Sequence, residues 1–350
     1  MNNSDIEALV RPNIRQLCPY STARDEFEGR LGVFLDANES PYPTGWNRYP
    51  DPRQKELKAR IAPIKGVKPE NIFLGNGSDE AIDLIFRVFC IPGVDNVVAI
   101  SPSYGMYAVS ADINDVEVRS VRLREDFSLP VDDLLAACDR HTKAIFLCSP
   151  NNPSGNAIPN ELVFDLLERF GGIVVVDEAY IDFCSVPSLL SHIERYPNLL
   201  VLQTFSKARG LAALRLGLAF AQPYIMRLMA MVKYPYNINE STQRLALAAL
   251  EAPIDGQVAE IVAQRGRVAA ALEGFGCVRT VYPSEANFLL VKVDDADSLY
   301  DFLIARGIIV RNRTRVVGCQ DCLRITIGLP EENDKLLKSF EEYEKGNLRR

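Results

Sequence analysis

A lysine stands directly after an apolar, strand-like run: Leu199–Gln203 leads into Thr204, Phe205, Ser206 and Lys207, with Arg215 following eight residues later. An ammonium at the end of a buried strand must be paired, solvated or neutralised. Covalent use removes that cost, because an amine condensed with an aldehyde is anchored and, once released, becomes a nearby base able to carry a proton. A second run, Ile173–Val176, ends in Asp177, Glu178, Ala179 and Tyr180. A third, Asn71–Leu74, leads into Gly75-Asn76-Gly77-Ser78-Asp79-Glu80, where glycines permit a tight turn and the free N–H groups of a following helix suit a phosphate. The third glycine of a dinucleotide fingerprint is missing, and so is the Gly-Lys-Ser/Thr of a nucleotide P-loop. Asp177 therefore has no nucleotide magnesium to hold, which excludes a nucleoside triphosphatase. Tyr104 comes after the run Asn96–Ile100, and Asn152 after Ala144–Cys148.

Each of these residues has an ordinary reading: Ser78 or Asp79 as the cap of a helix, Asp177 likewise, Tyr104 as core, Asn151-Asn152-Pro153-Ser154-Gly155 as a turn. Together, all at strand ends, they form the set that pyridoxal phosphate requires. Lys207 would hold the aldehyde. Asp177 would keep the ring nitrogen protonated, which makes the ring a better electron sink. Tyr180 and Asn152 would hydrogen-bond the phenolic oxygen, and Tyr104 would stack on the ring. Thr204, Ser206 and Arg215 would grip the phosphate, with N–H groups from the helix opened by Ser78 and Asp79.

Such residues need a sheet to carry them, since in open α/β sheets ligands collect where loops leave the carboxyl ends of strands. From Asn71 to Phe220 the β-branched runs above, with Val116–Leu123 and Leu216–Phe220, alternate with amphipathic stretches such as Asp79–Phe89 and Asn160–Phe170. The pattern predicts an α/β domain with a mostly parallel seven-stranded sheet. A helical pattern from Asn239 to about Phe275 leads to expected strands near Asn287–Val293, Ile308–Arg311 and Cys322–Ile327 and helices at Ser298–Arg306 and Glu331–Lys345, a smaller α+β domain. The expected division is an N-terminal arm over 1–35 that joins the small domain or a neighbouring subunit, a large cofactor-binding domain over 36–240, and a small domain over 241–350.

The composition agrees with an enzyme of this kind. A charge of 39 − 46 = −7, spread along the chain, offers no basic stripe for nucleic acid. No apolar run is long enough to span a membrane and the N-terminus has no leader pattern, so a cytoplasmic protein is expected. Eight scattered cysteines read as reduced thiols. Cys319 and Cys322 form a CxxC without a second pair, and His141 and His192 are the two histidines, so no metal site is expected.

At this point the sequence resembles the fold-type I pyridoxal-phosphate aminotransferases and, within them, the histidinol-phosphate branch. The motifs are PYSTARDEF at Pro19, LDANESPY at Leu35, RYPDP at Arg48, GNGSDEAIDLI at Gly75, SPSYGMY at Ser101, NNPSG at Asn151, DEAYIDF at Asp177, TFSKARGLAALRLG at Thr204, YPYNIN at Tyr234 and CLRITIG at Cys322. The resemblance implies that Lys207 binds the cofactor covalently and that Asp177 partners its ring nitrogen. It implies that Tyr49 reaches the cofactor phosphate of a neighbouring subunit in a homodimer with shared active sites. It implies too that Arg324 binds the anionic end of each substrate, assisted by Arg311, Tyr20 and Asn38. A guanidinium suits that role on physical grounds, because carboxylate and phosphate both offer it a fork of oxygens; a structural ion pair is the competing reading. Arg209 departs from the usual pattern, and an extra cation there could disfavour the protonated form of Lys207 or bind substrate phosphate. The implied reaction moves an amino group between histidinol phosphate and 2-oxoglutarate. An aromatic or broad-specificity aminotransferase, a threonine-phosphate decarboxylase on the same scaffold and a non-catalytic cofactor-binding module remain open alternatives.

Overall fold

The computed structural model describes residues 2–23 and 32–347. Arg24–Phe27 of the PYSTARDEF motif and the rest of the arm through Leu31 lie outside the described residues.

All seven expected strands form one sheet. They are β1 (Ile72–Asn76), β2 (Asn96–Ser101), β3 (Glu117–Arg122), β4 (Thr142–Cys148), β5 (Ile173–Asp177), β6 (Leu199–Thr204) and β7 (Leu216–Phe220), in the order β1-β7-β6-β5-β4-β2-β3. β7 is antiparallel to both its neighbours, while the pairs from β6 through β5, β4 and β2 to β3 are parallel. Alternation explains why these runs are apolar throughout. On β5, Val174 and Val176 enter one buried cluster and Ile173 and Val175 the cluster on the opposite face, so both faces are covered. Helices Ser78–Phe89 and Asn160–Arg169 are among those that cover it.

The second sheet has four antiparallel strands in the order β10-β11-β9-β8: β8 (Val278–Val281), β9 (Phe288–Val293), β10 (Arg311–Asn312) and β11 (Cys322–Thr326). β8 was not expected, since only four residues with two exposed polar side chains give little periodicity. The single helix expected over 239–275 is two, Glu240–Ala249 and Asp255–Leu272, interrupted around Pro253. The first helices also differ from expectation. Ile6, Val10 and Ile14 are buried in the large sheet's outer cluster, and Arg11 donates its backbone N–H to Val88 O at 3.0 Å, so this segment docks on the large domain and not on the small one. Apolar spacing at 6, 10 and 14 drives that docking.

Candidate active site

Because β1, β2, β4, β5 and β6 point the same way, their carboxyl ends share one edge of the sheet. The loops leaving that edge carry Gly77–Asp79, Tyr104, Asn152, Asp177–Tyr180 and Ser206–Lys207. β7 runs against them, so the residue before it, Arg215, arrives at the same place. All of these residues except Glu178, whose carboxylate accepts from Ser188, Leu189 N and Gln203 instead, line one cavity, together with Cys148 and Thr204.

Asp177 forms the floor. It is 2% exposed, and its two carboxylate oxygens accept from Ala179 N at 3.1 Å and Tyr107 Oη at 3.0 Å. Burial pushes its pKa up from 3.8 to about 6 despite both bonds, with Asp79 adding to the rise and Lys207 opposing it. A buried carboxylate so incompletely compensated, facing an open cavity, fits a cationic N–H donor placed against it. The ring nitrogen of pyridoxal phosphate is such a donor.

Lys207 Nζ lies 5.5 Å from the centroid of the Tyr180 ring, which in turn packs edge-on against Phe288 of β9 at 5.2 Å. Burial lowers the lysine pKa, as do the charges of Arg324 and Arg215, against the pull of Asp177 and Asp79. Condensation with an aldehyde needs the neutral amine, and this environment supplies more of it than water would.

The opposite end is built around glycine. Gly77 has φ +73°, and a Cβ there would stand 2.6 Å from Arg215 Nη2, so a side chain would displace the guanidinium. A Cβ on Gly217 would come within 2.0 Å of Ser78 N, which is why β7 can lie this close to the start of helix Ser78–Phe89. Helix N–H groups, Arg215 and Ser206 therefore converge on one end of the cavity, where a phosphate fits. Neither Ser78 nor Asp79 caps the helix through its side chain. Asp79 instead accepts from Tyr104 Oη at 3.0 Å and Arg215 Nη2 at 3.4 Å, tying the expected ring-stacking residue to the expected phosphate ligand. Thr204 lines the cavity, but its hydroxyl accepts from Ser206 N at 3.1 Å and donates to Leu216 O at 3.5 Å, which commits it to the backbone.

The small domain supplies cations. Arg311 of β10 pairs in register with Arg324 of β11. Along β11, Leu323 and Ile325 enter the small-domain core whereas Cys322 packs in the large-domain cluster, so Arg324, on the Cys322 face, is turned toward the cavity side. Its Nη1 donates to Asn152 Oδ1, which joins the two domains at the site. Its Nε is buried without a hydrogen-bond partner, and burial with the charges of Arg313 and Arg311 lowers its pKa. Among the described residues Arg311, Arg313 and Arg324 form no salt bridge, so the structural ion-pair reading of Arg324 fails and three guanidinium groups stand ready for an anion.

With this geometry in hand, comparison with known proteins is decisive. The profile of the aminotransferase class I and II family matches residues 36–340. A histidinol-phosphate aminotransferase of Parabacteroides distasonis is 55% identical over 96% of this chain and 98% of its own length. The chain belongs to the histidinol-phosphate aminotransferases. Solved members of that family share the fold: the enzyme from Clostridium acetobutylicum superimposes with a TM-score of 0.80 at 25% identity, covering 86% of this chain and 92% of that one. The one from Sinorhizobium meliloti, solved in complex with pyridoxal-5′-phosphate, gives 0.76 at 26% identity, covering 89% and 90%.

Within this histidinol-phosphate aminotransferase framework, some expected site residues stand apart from the cavity. Tyr20 is 76% exposed. Asn38 and Tyr49 line a separate surface pocket with Trp46 and Asn47, and Tyr49 stacks on Tyr236 at 4.5 Å. Arg209 covers the Phe205 ring at 5.3 Å, and the cations that depress the Lys207 amine are Arg324 and Arg215 instead. Cys319 and Cys322 are fully buried thiols whose pKa values burial raises to about 11 and about 12. Two residues of the site escaped the sequence reading. Arg313 lies two positions beyond Arg311 on the same face of an extended segment, a period-two signal lost because the expected strand ended at 311. Tyr107, three residues after Tyr104, was hidden among apolar helix positions.

Proposed function

We propose that the chain, with pyridoxal phosphate as its resident cofactor, reversibly transfers an amino group between histidinol phosphate and 2-oxoglutarate, giving imidazole acetol phosphate and glutamate. The observation that carries this reading is the convergence of Lys207 and Asp177 on one cavity, with Arg324 outside its lining but bonded to Asn152 of it and near enough for its charge to act on Lys207. The bound cofactor supplies an electron sink for the carbon that carries the amino group. Lys207 would hold its aldehyde and would carry the proton at that carbon. Asp177 keeps the ring nitrogen protonated. Tyr104, held by Asp79, would stack on the ring, and Tyr180 and Asn152 would hydrogen-bond its phenolic oxygen. Arg215, Ser206 and the helix N–H groups bind the phosphate. Arg324, with Arg311 and Arg313 beside it, accepts the phosphate of one substrate and the distal carboxylate of the other by the same fork geometry.

The test is a side-by-side assay of glutamate-dependent transfer to imidazole acetol phosphate and to phenylpyruvate, with threonine phosphate as a third substrate. Imidazole acetol phosphate is expected to give the highest kcat/KM. Release of carbon dioxide from threonine phosphate without any keto-acid requirement overturns the proposal.

The reading extends to a homodimer in which Tyr49 serves the neighbouring subunit's cofactor phosphate. What supports it is the apolar surface around that residue: Val33, Leu35, Tyr42, Trp46 and Tyr49 are each more than half exposed, an arrangement a monomer rarely maintains. Sedimentation equilibrium is expected to return twice 39.0 kDa, and a monomer at micromolar concentration rules this part out.

A further inference from the structure

We propose that Tyr107, which does not line the cavity, is the positioning residue that fixes the Asp177 carboxylate for the cofactor's ring nitrogen. The inference rests on the cofactor reading above and extends it by one residue outward.

Tyr107 is 2% exposed on helix Met106–Ile113. Its ring stacks on Phe146 of β4 at 5.1 Å and meets the Tyr104 ring edge-on at 5.7 Å. The one polar atom of this buried side chain donates to Asp177 Oδ2 at 3.0 Å, while Ala179 N donates to Oδ1 at 3.1 Å. Each oxygen thus has its own donor, one from the helix and one from the chain after β5, so the carboxyl plane cannot rotate. The groups that act on it are Tyr107, Asp79 and Lys207, and Cys148, Tyr104 and Tyr180 feel its charge in turn. Asp79 opposes ionisation and burial opposes it more, so the phenol is one of few contacts that favour the charged form. A phenol also suits the task better than an imidazole would. Burial and the adjacent carboxylate hold Tyr107 in its protonated form, so it donates a hydrogen bond without acquiring a positive charge that would compete with the ring nitrogen. Through its contact with Tyr104 the same side chain also braces the residue that covers the ring.

The experiment follows the Asp177 carboxyl by NMR in apoprotein labelled with carbon-13 aspartate, assigned by the signal lost in Asp177→Asn. In the Tyr107→Phe protein the titration midpoint is expected to rise by about one pH unit. The dissociation constant for pyridoxal phosphate at pH 7 is expected to weaken about twofold, the ratio of ionised carboxyl for midpoints one unit apart, a gap that widens toward about tenfold at pH 5 and closes toward pH 9 as both carboxyls ionise. Phenylalanine retains the stacking on Phe146, so a role in packing alone leaves the midpoint in place. An unchanged midpoint overturns the proposal. Incorporation of 3-fluorotyrosine at position 107, a stronger donor of nearly the same size, is the second variant: it should lower the midpoint, and no shift there is equally fatal should Tyr107→Phe fail to fold. A wild-type protein that traps no cofactor on Lys207 with borohydride overturns the cofactor reading itself, and the positioning role with it.

Discussion

Replacing Lys207 with alanine is expected to cut amino transfer by at least ~10⁴-fold while leaving the fold intact, because one side chain carries both the covalent hold and the proton. Borohydride treatment of the wild-type protein, followed by mass mapping, should place the cofactor on the peptide that contains Lys207; the alanine variant should give no adduct. Small primary amines added to the variant should restore part of the rate, rising with their basicity, since the missing function is that of a base near the reacting carbon. Lys207→Arg should not be rescued in this way, as the guanidinium fills the space without offering a neutral amine. Stability gives an independent control. Lys207 keeps an open flank and makes no salt bridge among the described residues, so its truncation should change unfolding free energy by no more than about 0.5 kcal/mol. A variant that retains full turnover, or an adduct mapped to another lysine, removes the basis of the assignment.

The large domain was legible in the sequence because both faces of its sheet are covered, which forces uninterrupted apolar runs such as Ile173–Val176 and makes the residue after each run conspicuous. Lys207, Asp177 and Asn152 were found for that reason. Arg215 needed more. It lies at the correct edge because β7 is antiparallel, and strand direction leaves no mark on local periodicity. Pairwise ties between loops were equally invisible: that Asp79 would hold Tyr104 and Arg215 rather than cap its own helix is a tertiary choice between two acceptable hydrogen-bonding states. The N-terminal segment misled for a related reason. Its helices are only seven and four residues long, and what places them is the fit of Ile6, Val10 and Ile14 into a cluster built by residues far along the chain. The small domain was clear where strands were apolar on one face, as in β9, and obscure where exposure on the outer strand β8 removed the pattern.

Asp177→Asn should separate function from stability in opposite directions. Amide for carboxylate keeps the shape and the acceptor for Tyr107 Oη but withdraws the charge that holds the ring nitrogen protonated, so kcat should fall by roughly 10²–10³-fold, the range for loss of a preorganised electrostatic contact. The apoprotein should respond the other way. The folded-state pKa of Asp177 is raised from 3.8 to about 6, so between those values the native chain binds more protons than the unfolded one. Its contribution to stability is therefore greatest below pH 4, falls as pH rises to 6 and stays low beyond, the reverse of an acid whose pKa is depressed. A shift of about two units corresponds to no more than ~3 kcal/mol. Apo Asp177→Asn should accordingly gain stability relative to apo wild type as pH rises from 4 to 7, on top of a pH-independent cost from turning its amide NH2 toward Ala179 N. Bound cofactor should cancel that gain at pH 7, since a pyridinium against the ionised carboxylate recovers the desolvation cost that the bare site carries. Urea titrations of both proteins at pH 4 and pH 7, with and without pyridoxal phosphate, measure all of this. A stability difference between the two apoproteins that stays the same from pH 4 to pH 7 would show that the carboxylate is already compensated within the protein, leaving no reason for a cationic ring to sit against it.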